Sequence, residues 1–159
     1  MGIRILLADD HTIVLQGLSR FLREQEDMEV VGQAKDGLAA VELARELSPD
    51  VIIMDISMPG LNGVEATRQI HNEKPNTKII GLSMHAAKRY VQEMYKAGAR
   101  GYLLKDCDFD ELMAAIRAVA AGGTYFAGEF AAITAPEADR GPAAKGGWPP
   151  NRFGVGLTL

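Results

Sequence analysis

One cysteine, Cys107, is all the thiol the chain carries, and a lone thiol closes no internal disulfide, so the fold rests on its core alone. No apolar run approaches the ~20 residues that a bilayer span requires. The first residues also lack the apolar h-region of a secretory signal. Lys and Arg never cluster densely, and 17 basic against 21 acidic residues leave a net charge of −4, which is a poor footprint for a phosphate backbone. The expectation is a cytoplasmic, reduced setting, with no membrane span and no direct DNA binding by this chain.

What is present is a core-forming composition. With 159 residues, 47% hydrophobic and 24% charged, the chain suffices for one domain plus some excess. Apolar runs at 3–8, 29–34, 51–54, 78–82 and 101–104 are rich in Ile, Val and Leu without polar alternation, the pattern of parallel strands covered on both faces. Between them run helical stripes: Val14, Leu18, Phe21 and Leu22; Val41, Ala44 and Leu47; Leu112, Ala115, Ile116 and Val119. Fainter helical patterns occupy 64–72 and 88–96. Strands alternating with helices predict an α/β fold, a doubly wound five-stranded parallel sheet of (βα)5 type with right-handed crossovers.

Such sheets bind ligands beyond the carboxyl ends of their strands. The first predicted strand runs into Asp9 and Asp10, the third into Asp55, the fourth into Ser83 and the fifth into Lys105. An aspartate after a strand is ordinarily a turn or cap residue. Here each polar residue directly follows its own apolar run, which gathers three carboxylates, a hydroxyl and an ammonium at one sheet edge. Two carboxylates ~4 Å apart repel by roughly 4 kcal/mol at an effective dielectric near 20, and Lys105 neutralises only part of the charge. A hard divalent cation such as Mg²⁺ fits the remainder and leaves room for a phosphate. Asp55 is then positioned as a nucleophile toward phosphorus, with Lys105 and the Ser83 hydroxyl stabilising the transferred oxygens.

The set Asp9 and Asp10, Asp55 in MDISMPGLNG, Ser83 in GLSMH and Lys105 in GARGYLLKD resembles the receiver domain of two-component response regulators. The stretches ADDHTIVLQGL and AGARGYLLKD are similar to the NarL/FixJ subfamily. The resemblance covers about residues 2–126 and implies a flavodoxin-like receiver fold over 1–126. It implies that Asp55 is the phosphoacceptor, supplied by a histidine kinase or a small phosphodonor. Asp9, Asp10 and Asp55 would hold Mg²⁺ with the backbone carbonyl of Ser57. Ser83 and Tyr102 would be the switch pair, Tyr102 turning inward once the phosphoryl group draws Ser83 toward it. Lys105 would contact the phosphoryl group, and Ser57 and His85 would modulate its loss. The implied protein is a phosphoacceptor with slow autodephosphorylation rather than an enzyme, and a homodimer is an expected partner state.

Two departures from the family pattern stand out. Asp106 follows Lys105 where many receivers carry proline, and a non-proline cis bond costs about 3 kcal/mol. Beyond Phe126, where a NarL/FixJ-type regulator continues into a helix-turn-helix domain, the chain holds four of its seven prolines and no sustained apolar period. Residues 127–159 therefore read as linker, disorder or a non-native tail. Transcription control would pass through a DNA-binding domain missing here. The alternatives are a stand-alone receiver acting by protein contacts and a haloacid-dehalogenase-like phosphatase, whose DxD motif this chain lacks after its first strand.

Overall fold

Short apolar runs alternate with amphipathic helices throughout the computed structural model, which describes residues 2–84 and 87–126. The elements are β1 (Ile3–Ala8), α1 (Thr12–Arg23), β2 (Met28–Ala34), α2 (Gly37–Leu47), β3 (Val51–Asp55), α3 (Gly63–Glu73), β4 (Lys78–Ser83), α4 (Lys88–Ala97), β5 (Gly101–Leu104), α5 (Phe109–Ala120) and β6 (Tyr125–Phe126). His85 and the tail at 127–159 lie outside the described residues. Among the described residues no helix is long and apolar enough to cross a membrane.

All strands pair in parallel, in the order β2-β1-β3-β4-β5-β6. The expected five strands are present and a sixth is added. β6 pairs Gly101 with Tyr125 and Tyr102 with Phe126, covering an edge that β5 would otherwise leave unpaired. Two residues carry no period that a sequence pattern can register.

Because successive strand residues face opposite sides, each strand feeds two cores. Leu6, Ala8, Ile52, Met54 and Ile79 pack with α2, α3 and α4 residues such as Val41, Ile70 and Met94. Ile5, Leu7, Val51, Ile53, Ile80 and Leu82 pack with α1 and α5 residues such as Leu15, Leu22, Leu112 and Ile116. Each side chain of this size contributes roughly 1.5–3 kcal/mol when fully buried. The helices begin where side-chain acceptors meet otherwise unpaired amides: Asp36 accepts from Ala39 N, Asn62 from Glu65 N and Asp108 from Glu111 N. The Lys105–Asp106 bond is trans, since no described peptide bond is cis.

Strand alternation also decides what meets at the carboxyl edge. Asp9 continues the parity of Ile5 and Leu7, Asp55 that of Val51 and Ile53, and Lys105 that of Leu103, all on the α1/α5 side. Ser83 and Tyr102 have the other parity, and Tyr102 lies in the α2/α3/α4 core. Asp55 and Ser83 are the final residues of β3 and β4 rather than the first beyond them, one residue later than the periodicity predicts. Ladder pairing continues through them, Asp55 opposite Leu82 and Ser83 opposite Leu104, and this fixes their backbones.

Candidate functional site

Central strands β1 and β3 run side by side with Ala8 opposite Met54, so Asp9 and Asp55 emerge together. Both are buried, at 2% and 3% exposure. Lys105 reaches across from the end of β5: its Nζ lies 2.9 Å from Asp9 Oδ2 and 3.4 Å from Asp55 Oδ1. The Lys105 amide donates to the Ser83 carbonyl at 2.8 Å, and the Asp9 amide to Ala34 O at 3.0 Å. Ser57 is exposed, and its amide donates to Asp55 Oδ1 at 3.3 Å. Asp10 stands at the mouth, its side chain 32% exposed.

One cation for two buried carboxylates leaves charge uncompensated. Asp55 Oδ2 is buried and accepts no hydrogen bond; Asp9 Oδ2 has the Lys105 ammonium beside it but no hydrogen bond of normal geometry. Burial, followed by the Asp9 charge, raises the Asp55 pKa to about 6, against the opposing pull of Lys105 and the Ser57 amide. One donor atom each from Asp9, Asp10, His11 and Asp55 lies within 4.8 Å of every other. An acidic cluster with an orphaned buried oxygen fits a hard divalent cation. Cys107 is no rival nucleophile, because burial, then Glu111, Asp108 and Asp106, push its thiol up to about 12.

On the other face, Tyr102 is 1% exposed. Burial raises its phenol pKa, and a hydrogen bond with the Ser83 side chain opposes the rise. The ring is thus already inside, so the inward position does not require a phosphoryl group.

The loop from β3 to α3 is clamped by glycines that the sequence reading did not single out. Gly63 N donates to Ile56 O at 2.9 Å, and a Cβ on Gly63 would lie 2.2 Å from the Asp55 carbonyl oxygen. A Cβ on Gly37 would meet Leu61 O at 1.9 Å. Alanine at Gly63 would gain at most about 1 kcal/mol of helix propensity, but the clash is with backbone that cannot turn aside. Gly63→Ala is expected to lower stability by about 2 kcal/mol. Urea denaturation measures this, and an unshifted midpoint would refute the clamp. His11 was likewise not singled out, although it directly follows the two aspartates.

The response regulator receiver domain model matches residues 5–117, and the chain belongs to that family, in its NarL/LuxR group. It is similar to the transcriptional regulatory protein DegU of Brevibacillus brevis, 46% identical over 123 residues, 77% of this chain and 52% of that protein. A LuxR-family two-component response regulator from Aurantimonas sp. SI85-9A1 superposes with a TM-score of 0.75 at 38% identity, over 79% of this chain and 89% of that one. The receiver domain of NarL from Mycobacterium tuberculosis gives 0.74 at 33% identity, over 76% and 98%. The chain spans about half the length of DegU.

Proposed function

We propose that this chain is a phosphorylation-activated receiver in which Asp55 takes a phosphoryl group from a histidine kinase or a small phosphodonor. The observation that carries the reading is Asp55 itself, a strand-end carboxylate with an orphaned oxygen and the Lys105 ammonium 3.4 Å from its other oxygen. An Asp55 oxygen attacks phosphorus, a P–O bond to the carboxylate forms as the bond to the donor breaks, and an acyl phosphate results. Lys105, held by Asp9, meets the incoming phosphoryl oxygens. Asp9, Asp10, Asp55 and the Ser57 carbonyl would hold Mg²⁺, which when bound neutralises charge on those oxygens. Water slowly removes the phosphoryl group, with Ser57 and His85 modulating the loss.

The added charge draws the Ser83 hydroxyl toward Asp55. Since Ser83 already bonds Tyr102, the movement shifts the balance of positions open to Tyr102 and to the chain after β4. Output follows through protein contacts, including a homodimer and, in a longer protein in the cytoplasm, a DNA-binding domain that controls transcription. Residues 1–126 form the receiver, and 127–159 act as linker or non-native extension. Light scattering with and without a phosphoryl mimic tests the dimer: a larger species is expected with the mimic, and a monomer in both states at high concentration would count against it.

Incubation with acetyl phosphate and Mg²⁺, followed by intact-mass measurement, tests the phosphoacceptor. One phosphoryl group per chain is expected for the wild type and none for Asp55→Ala. Equal incorporation by both would sink the assignment.

A further inference from the structure

His11 stands in the same cluster, and the phosphoryl chemistry leaves it without a task. Its Nδ1 lies 2.8 Å from Asp9 Oδ1 and 3.1 Å from Asp10 Oδ1. Two donors each about 2.1 Å from one cation sit about 3.0 Å apart at a right angle and about 3.4 Å apart at the tetrahedral angle. The two observed separations are therefore close to those of neighbours in one coordination shell.

The imidazole is held where it stands. His11 is the N-cap of α1 in extended conformation, with φ −96° and ψ 110°. Its amide donates to Asp9 Oδ1 at 2.8 Å, and its carbonyl accepts from Leu15 N at 3.0 Å. An independent observation points to a ligand between these groups: Asp55 Oδ2, on a side chain 97% buried, has no partner.

Three carboxylates alone make an oxygen site for Mg²⁺. An imidazole among them changes the preference, because Mg²⁺ favours oxygen donors in strict octahedral geometry while nitrogen donors suit Zn²⁺ and Co²⁺. We propose that His11 is a fourth protein donor, and that Asp9, Asp10, His11 and Asp55 together take Zn²⁺ or Co²⁺ in preference to Mg²⁺. The proposal rests on the reading of this pocket as a cation site, and it adds a ligand and a selectivity to that reading. In the metal-free protein the Nδ1 contact with Asp9 occupies the place of the missing bond to the cation.

The experiment titrates the full chain with Co²⁺, following the visible ligand-field bands, and titrates Mg²⁺ by its protection against thermal unfolding. The wild type is expected to bind Co²⁺ at least about tenfold more tightly than Mg²⁺. His11→Ala is expected to lose about 10- to 100-fold in Co²⁺ affinity, with bands shifted to those of an all-oxygen site, and to keep its Mg²⁺ affinity. His11 has a side chain 60% exposed, so the substitution leaves the core intact, which circular dichroism verifies. If His11→Ala weakens both metals equally, or neither, His11 is not a selective donor and the proposal fails. If the wild type binds Mg²⁺ but shows no preference for Co²⁺, the selectivity fails while the cation site stands. If it binds neither, both readings fall. Asp9→Asn should weaken both metals.

Discussion

Replacing Lys105 with methionine is expected to destabilise the metal-free protein by about 3 kcal/mol at neutral pH, because it removes the cation and leaves two buried carboxylates facing each other. Methionine keeps most of the aliphatic stem, so lost packing contributes little. Lys105 lies 2.9 Å from Asp9 Oδ2 and 3.4 Å from Asp55 Oδ1, with a side chain only 10% exposed. It is therefore a partner to buried charge rather than a screened surface ion. The loss should shrink as the pH falls, since Asp55, already raised to about 6 with Lys105 present, protonates more readily once the lysine is gone. It should also shrink in saturating Mg²⁺. Urea denaturation from pH 5 to pH 8, without and with Mg²⁺, measures it. A pH-independent loss would mean that packing rather than charge is responsible.

Asp55→Asn should do the opposite and stabilise the metal-free protein. The Asp55 pKa rises from 3.8 to about 6 on folding, so the folded state holds that proton more tightly than the unfolded chain does. Below about pH 4 the carboxyl is neutral in both states and costs nothing. As the pH rises from about 4 through 6, the unfolded chain ionises first and wild-type stability falls; above about pH 7 the full penalty is in force. Asparagine removes the charge and retains an acceptor for the Ser57 amide. A gain of about 2 kcal/mol is expected above pH 7, fading to nothing near pH 4. At a hundred times its dissociation constant, Mg²⁺ adds about 2.7 kcal/mol to whichever protein binds it. It should help the wild type more and narrow the gap. In the Lys105→Met background, Asp55→Asn should recover most of what the first substitution lost. A variant less stable than the wild type at pH 8 without metal would show that Asp55 is compensated by groups other than Lys105 and Ser57.

Much of this site is legible in the sequence because its signals are local. Apolar runs at 3–8 and 51–54 stop at carboxylates, and the run at 101–104 stops at a lysine. In a parallel α/β sheet all such stops fall on one edge. The helical stripes of α1, α2 and α5 are strong, and their apolar positions are those found buried. β6 escaped the reading because two residues stabilised by a neighbouring strand carry no period of their own. The strand ends were read one residue short at Asp55 and Ser83, because a polar side chain marks the end of the apolar run but not the end of the backbone ladder.

The sequence by itself determined which residue types stand at the strand ends, and hence an acidic, phosphate-directed chemistry at one edge of a parallel sheet. Strand order was decided only in three dimensions. Lys105 meets Asp9 and Asp55 because β1 and β3 are neighbours and β5 lies two strands beyond β1 and β3's shared edge, with β4 between β3 and β5; nothing within one strand carries that information. Tertiary structure alone also set His11 against Asp9 and Asp10, pressed Gly63 onto the Asp55 carbonyl and put the Tyr102 ring inside beside Ser83. The physical reason is range. Hydrophobic period and capping act over a few residues and leave their mark in the chain. Charge compensation and close backbone approach act between groups tens of residues apart, and only the packed sheet brings those groups within reach.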